Sequence, residues 1–206
     1  PLGLILGHST FLREVVGEEH HEQLDTIIRS GAKLKEIIEW LQKNVCEALN
    51  ADKKGSAKVA QAEWKPRRVL IFTEYADTKD YLVSALNYAI YGKSEGDSSL
   101  QDQSLGRVAS YCGGMDDEQR RLVKEAFNRP FHVEGSDLRI LVATDAAREG
   151  INLQSNCYDL FHYDIPWNPG RLEQRNGRID RKLQESTEVN CFYFKLTQRV
   201  EDRVLA

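Results

Sequence analysis

The sequence predicts an α/β fold, a mainly parallel sheet with helices on both faces, and three observations predict it. Short apolar runs rich in β-formers alternate with amphipathic stretches about five times across residues 66–206, the pattern of a sheet layered with helices. The strand-like runs are mostly apolar along their whole length, which indicates burial on both faces rather than one wet face. The glycine-rich, polar and charged segments fall just after these runs, at the carboxyl ends of the strands, where open α/β sheets place their ligands.

The elements follow in order. Residues 1–19 read as an N-terminal extension, with Pro1-Leu2-Gly3 a remnant of a cleaved tag. Residues 20–65 read as a helical lead-in and linker: Leu34, Ile37, Ile38, Leu41 and Val45 recur at three- and four-residue steps, as one apolar helix face does, and residues 50–62 turn small and polar. Pro66 opens the sheet domain, 66–206. Val69-Leu70-Ile71-Phe72-Thr73 is its first strand, and residues 77–90 form a helix with Tyr81, Leu82, Leu86 and Ala89 inward. Residues 92–106 are a polar excursion. A second strand, 107–112, ends at Gly113-Gly114, and a helix over 116–128 is capped by Asp116 or Asp117. The third strand is 137–143, and the fourth, 158–163, runs into Asp164-Ile165-Pro166-Trp167-Asn168-Pro169. Pro169 suits the first turn of the arginine-rich helix that follows. A fifth strand covers 188–194, and a last helix starts at Gln198.

Bulk properties narrow the function. The chain has 206 residues, 41% hydrophobic and 29% charged, the composition of a soluble globular protein. It has no apolar run of membrane-crossing length and no basic leader before Leu4-Ile5-Leu6, so no membrane partner is expected and the location expected is cytoplasmic. From the start at proline, without methionine, a piece of a longer protein is expected. The four cysteines form no C-x-x-C pair and read as free thiols in a reducing compartment. The five histidines lack metal-ligand spacing, so no metal site is expected. With a net charge of −4, any nucleic-acid site must be a local patch on a mildly acidic body.

The run Gln174-Arg175-Asn176-Gly177-Arg178-Ile179-Asp180-Arg181 carries the most chemistry. If a helix continues through it at about 100° per residue, Arg171, Gln174, Arg175, Arg178 and Arg181 share an arc of roughly 120°, while Leu172 and Ile179 face a core. Guanidiniums crowded on one face repel each other unless an anion joins them, and their rigid fork suits phosphate. The alternative is a solvated basic face balanced by Glu173 and Asp180. Gly113-Gly114 can present backbone N–H groups to a phosphate ahead of a helix, or can form an ordinary turn. In Ala143 to Gln154, the Thr144 hydroxyl can donate to a phosphate and Gly150 admits a close ligand; as structural residues, Thr144 and Asp145 cap a helix. The sequence contains no G-x-x-x-x-G-K-[ST] and no paired-acid strand end to hold Mg²⁺. Arginines without that machinery describe half of a two-part site, in which guanidiniums supplied across an interface stabilise a transferring phosphoryl group.

With these motifs in this order, the chain resembles the C-terminal RecA-like lobe of superfamily 2 helicases and translocases. Within that group it is similar to bacterial Snf2-type proteins, including those that act on RNA polymerase. Val69 to Tyr75 looks like motif IV, Tyr111 to Met115 like the glycine pair that touches nucleic acid, Ala143 to Gln154 like motif V, and Gln174 to Arg181 like motif VI. The resemblance implies the second motor lobe of an ATP-dependent enzyme, inactive in ATP hydrolysis by itself. It implies that Arg178 and Arg181 reach the γ-phosphate of ATP held with Mg²⁺ mainly by an N-terminal RecA-like lobe, and that Gln174, Gly150 and Asn152 lie by the nucleotide. It further implies that Thr73, Gly113, Gly114 and Thr144 hold the backbone of DNA or RNA, and that partners include RNA polymerase or other protein complexes. Three positions depart from the pattern. Lys182-Leu183-Gln184 follows Arg181 where Snf2-type proteins carry Gly-Gln, Asn152 stands where other helicases carry aspartate, and Glu149 where many carry arginine. A second reading is a non-catalytic docking module for nucleic acid or protein, built on a helicase-like lobe.

Overall fold

Five strands pair in the order β2-β3-β1-β4-β5, every pair parallel. They are β1 (Arg68–Thr73), β2 (Val108–Tyr111), β3 (Ile140–Thr144), β4 (Cys157–His162) and β5 (Asn190–Tyr193). The computed structural model describes residues 2–92, 106–135, 137–145, 157–180, 184 and 186–194. The chain divides into two compact units, Pro1–Lys65 with Ser84–Leu100, and Pro66–Val83 with Gln101–Ala206.

The sheet belongs to the second unit. β1 and β3 are buried at every position, their apolar runs Val69–Phe72 and Ile140–Ala143 as the sequence requires, and Arg68, Thr73 and Thr144 with them. Leu70, Phe72, Ala109, Tyr111, Leu141, Ala143 and Leu160 point to one face, where Val123, Ala126 and Phe127 of α5 (Asp117–Asn128) and Ile179 complete a core. Each such side chain contributes about 1.5–3 kcal/mol on burial. The connection from β1 through α4 (Ala76–Tyr91) passes β3 to reach β2, and the connection through α5 returns to β3. Register then levels the strand ends, with Thr73 opposite Thr144 and Phe72 opposite His162.

Helix ends follow local chemistry. Asp116 caps α5 by accepting from the Gln119 N–H at 2.8 Å, and the Gln119 side chain accepts from the Asp116 N–H at 3.2 Å. α6 (Pro169–Asn176) starts with Pro169 behind Asn168, whose side-chain oxygen accepts from the Gly170 N–H at 2.8 Å.

In the first unit, α1 (Leu2–Val15) packs on α2 (His21–Asn44). A Cβ on Gly31 would meet Leu6 Cδ2 at 2.7 Å, so the glycine permits the close approach. Arg13 and Asp25 pair across the two helices. α3 (Ala57–Ala60) is one short turn inside the stretch read as linker.

The N-terminal extension is helical through Val15. One sequence reading changes. Tyr81, expected inward, is 41% exposed, while Leu82, Val83, Leu86, Ala89 and Ile90 are buried. Those five centre on one stripe, and at about 100° per residue Tyr81 lies roughly 140° from its middle. The residues at 93–105 and from 195 onward, including the expected last helix, lie outside the described residues.

Candidate functional site

The carboxyl edge of the sheet gathers the polar residues that the sequence singles out, and Arg175 is its centre. Nε and Nη2 of Arg175 donate to the two oxygens of Asp145 at 2.7 and 2.8 Å. Nη1 donates to the Asp164 carbonyl at 2.7 Å, and Nη2 also reaches Asp164 Oδ1 at 3.2 Å. The arginine side chain is 2% exposed and that of Asp145 8%. Burial opposes the charge on Arg175, but the hydrogen bonds and charges of Asp145 and Asp164 outweigh it and hold the pKa above the ordinary arginine value. The ring of Phe72 lies 5.5 Å from the guanidinium carbon.

This geometry corrects the picture of guanidiniums ranked on one helix face. α6 ends at Asn176. Beyond it the Arg178 N–H donates to Arg175 O at 3.0 Å and the Ile179 N–H to Asn176 O at 3.1 Å, the three-residue spacing of a tightened turn. Arg178 therefore stands on a turn, and Ile179 is fully buried in the core. Arg175 faces two carboxylates inside the protein rather than an outside anion. Arg171 Nη1 donates to Glu74 Oε1 at 3.1 Å, both half-buried. Phe72, Asp145, Arg171, Gln174, Arg175 and Arg178 line one pocket, with Gln174 exposed and Arg178 half-buried. Arg181, Gly150 and Asn152 lie outside the described residues.

Asp164 is a second junction. It accepts from the Thr73 hydroxyl and from the Glu74 N–H at 2.9 Å, besides Arg175. Thr73 is fully buried and Thr144 is 3% exposed, so neither presents an open hydroxyl. Gly113 and Gly114, by contrast, are exposed on the turn between β2 and α5. A Cβ on Gly114 would meet nothing within 4 Å, and among the described glycines only Gly92 and Gly135 have positive φ. Neither conformation nor neighbours require glycine at 114.

The sequence reading missed the Asp145–Arg175–Asp164 clamp. Its signal was present: an aspartate directly follows the strand runs at both 145 and 164, with an arginine on the next helix. Among the described residues no three His, Cys, Asp or Glu side chains cluster as metal ligands. No described helix is long and apolar enough to cross a membrane. The described cysteines, Cys46, Cys112, Cys157 and Cys191, are free thiols.

An all-parallel five-stranded sheet with its arginine-bearing helix at the carboxyl edge defines a RecA-like lobe. A family profile described as "Helicase conserved C-terminal domain" matches residues 56–182, and the chain belongs to that family, as the C-terminal lobe of a superfamily 2 helicase. It is 36% identical over 138 residues to "Uncharacterized ATP-dependent helicase YqhH" of Bacillus subtilis (strain 168), covering 67% of this chain and 20% of that protein. It is 28% identical over 138 residues to "Helicase SWR1" of Mycosarcoma maydis, covering 67% of this chain and 6% of that protein. The chain thus spans about a fifth of the first relative and less of the second. The solved C-terminal part of the Fun30 ATPase domain superposes with a TM-score of 0.50, covering 100% of this chain and 64% of that chain at 16% identity, and supports the fold.

Proposed function

We propose that this lobe is the second half of an ATP-driven nucleic-acid motor, a helicase or translocase, and that it supplies arginines to an ATP site shared with an N-terminal RecA-like lobe. The observation that carries the reading is the set of donors gathered in the edge pocket. Arg175 is neutralised from within by two aspartates, and Arg171, Gln174 and Arg178 line the same pocket. Guanidinium and amide donors fit phosphate oxygens. Among the described residues, the carboxylates at this edge are held by arginines, Asp145 and Asp164 by Arg175 and Glu74 by Arg171, which supports a metal held mainly by the partner lobe. Bound with ATP there, Mg²⁺ neutralises phosphate charge. From this side Arg178 and Arg181 stabilise the charge that develops on the transferring γ-phosphoryl group. Gln174 orients by the nucleotide, and Gly150 and Asn152 follow from the family resemblance.

On the nucleic-acid side, the exposed N–H groups of Gly113 and Gly114 meet the phosphate backbone, with Thr144 at the neighbouring strand end. The buried Thr73 acts behind them, through Asp164. Contacts of this kind track a backbone without reading bases, so binding to DNA or RNA is salt-sensitive and sequence-tolerant. Neither relative reported above, nor the solved structure, is named for RNA polymerase, and that partner stays with the resemblance alone.

The test is nucleic-acid-stimulated ATPase of the full-length protein carrying Arg178→Ala or Arg181→Ala. An arginine finger contributes about 10³–10⁵ in rate, so each change should leave turnover near background, and the isolated lobe should show none. Undiminished turnover with both arginines removed would end the proposal.

A further inference from the structure

One residue behind the turn that carries Arg178, a second network joins α6 to the sheet. Asn176 is the last residue of α6. Its Oδ1 lies 2.8 Å from His162 Nε2, and its Nδ2 donates to the Tyr193 hydroxyl at 3.1 Å. The His162 ring, at the end of β4, stacks on Tyr193 of β5 with centroids 4.7 Å apart and planes 4° from parallel. The main-chain carbonyl of Asn176 accepts from the N–H groups of Ile179 and Asp180 at 3.1 and 3.0 Å. The same residue therefore grips the sheet with its side chain and the Arg178 turn with its backbone.

We infer that His162, Asn176 and Tyr193 are positioning residues that fix the turn and so set where the Arg178 guanidinium stands. The inference rests on the proposed role of Arg178 at the phosphate.

The chemistry of His162 argues against plain packing. The ring is fully buried. Burial pushes its pKa down to about 4, so it is neutral at working pH and carries one N–H. With Asn176 Nδ2 turned to Tyr193, Oδ1 is the atom facing His162, which places the proton on Nε2. Nδ1 then keeps a bare lone pair, and among the described residues it has no hydrogen-bond partner. Burying such a group is unfavourable. An apolar ring would fill the same space and stack on Tyr193 without that penalty. What it could not do is donate one directed hydrogen bond to the residue that anchors the Arg178 turn.

The experiment uses the full-length protein, its ATPase measured at saturating nucleic acid with ATP varied. In His162→Gln the side-chain amide can stand in for Nε2–H; in His162→Asn it reaches only the place of Nδ1. Misplacing a reacting group by about 1 Å costs on the order of 10²-fold in rate. His162→Asn and Asn176→Ala should therefore lower kcat by about 10- to 100-fold, with KM for ATP within about threefold, and His162→Gln should recover most of the loss. In an Arg178→Ala background His162→Asn should cost nothing further, because the group it positions is gone. A purely structural role would instead lower the melting temperature and add its loss in full to that of Arg178→Ala. If His162→Asn does not fold, Tyr193→Phe, which removes only a hydroxyl, carries the test and should lower kcat several-fold. Full turnover in folded His162→Asn and Tyr193→Phe, or full additivity with Arg178→Ala, overturns the inference while leaving the Arg178 reading intact. Full turnover in Arg178→Ala overturns that reading, and the inference with it.

Discussion

Arg175 makes four hydrogen bonds at 2.7 to 3.2 Å to Asp145 and Asp164 from a side chain that is 2% exposed. Arg175→Ala leaves the Asp145 carboxylate, 8% exposed, without its counter-ion. Breaking a buried pair by removing one partner costs about 3–5 kcal/mol. Asp164 is 24% exposed and keeps its donors from Thr73 and Glu74, so it adds little. Against a total stability of about 5–15 kcal/mol, the loss is a third or more for a lobe in the middle of that range. A domain of about 150–250 residues loses about 2–4 °C per kcal/mol, so the melting temperature should fall by about 6–20 °C. Urea and thermal unfolding followed by circular dichroism measure this directly. The double change Arg175→Met with Asp145→Leu should be more stable than Arg175→Met alone, because an apolar pair replaces a stranded charge. An Arg175→Ala protein within about 1 kcal/mol of the parent would refute the clamp and return Arg175 to the set available for an outside phosphate.

Three further outcomes follow from single sites. The His162 pKa falls from 6.5 to about 4 on folding, because burial disfavours the imidazolium. Between those values the unfolded chain binds a proton that the folded chain does not, so stability is complete above pH 6.5 and declines as pH drops. The slope is about 1.4 kcal/mol per pH unit, about 3 kcal/mol in all, and His162→Gln should flatten the measured curve over that range by one proton. Gly114→Ala should leave stability unchanged or slightly raised, since its φ is ordinary and its surroundings open. In the full-length protein the substitution keeps the 114 N–H but puts a methyl group where a phosphate must approach the backbone, so nucleic-acid binding should weaken; unchanged affinity in a salt-controlled titration would remove the glycine turn from the interface. Asp116→Ala removes the α5 cap and should cost about 1 kcal/mol, read as a shift of about 2–4 °C in melting temperature.

The sheet was legible because burial on both faces leaves unbroken apolar runs, and β1 to β5 each fall within a few residues of such a run. The α5 cap was legible because a capping box is local, and Asp116 and Gln119 satisfy each other across three residues. What the sequence did not separate was one arginine from another. Arg175 and Arg178 are the same residue type three positions apart, and only the three-dimensional level of Asp145 and Asp164 decides that the first turns inward. The end of α6 did have a signal, the glycine at 177, which marks a helix terminus as readily as it sits within a motif. Arg68 is the opposite case. It is fully buried at the start of β1, its guanidinium carbon 4.3 Å from the centre of the Phe131 ring, and it donates to the carbonyls of Leu138 and Arg129. Those partners are 70 and 61 residues away in the chain, and no local pattern announces them.

The charges at the carboxyl edge bear on how a two-part site works. Arg171, Arg175 and Arg178 bring three positive charges, and Glu74, Asp145 and Asp164 bring three negative ones. Over these six described residues the charges balance, so together they add little net field at a nucleotide. On the proposed reading this is useful. Ground-state affinity for ATP comes from the partner lobe, and this lobe adds its guanidiniums only when the cleft closes and charge moves onto the transferring phosphoryl group. An interaction stronger in the transition state than in the ground state accelerates the reaction, whereas one equal in both only tightens binding. A strongly positive edge would grip ATP and its hydrolysis products alike and resist the opening on which a stepping motor depends. On that same reading, the contacts made on closing are those proposed for Arg178 and Arg181, while Arg175 serves to hold the edge together.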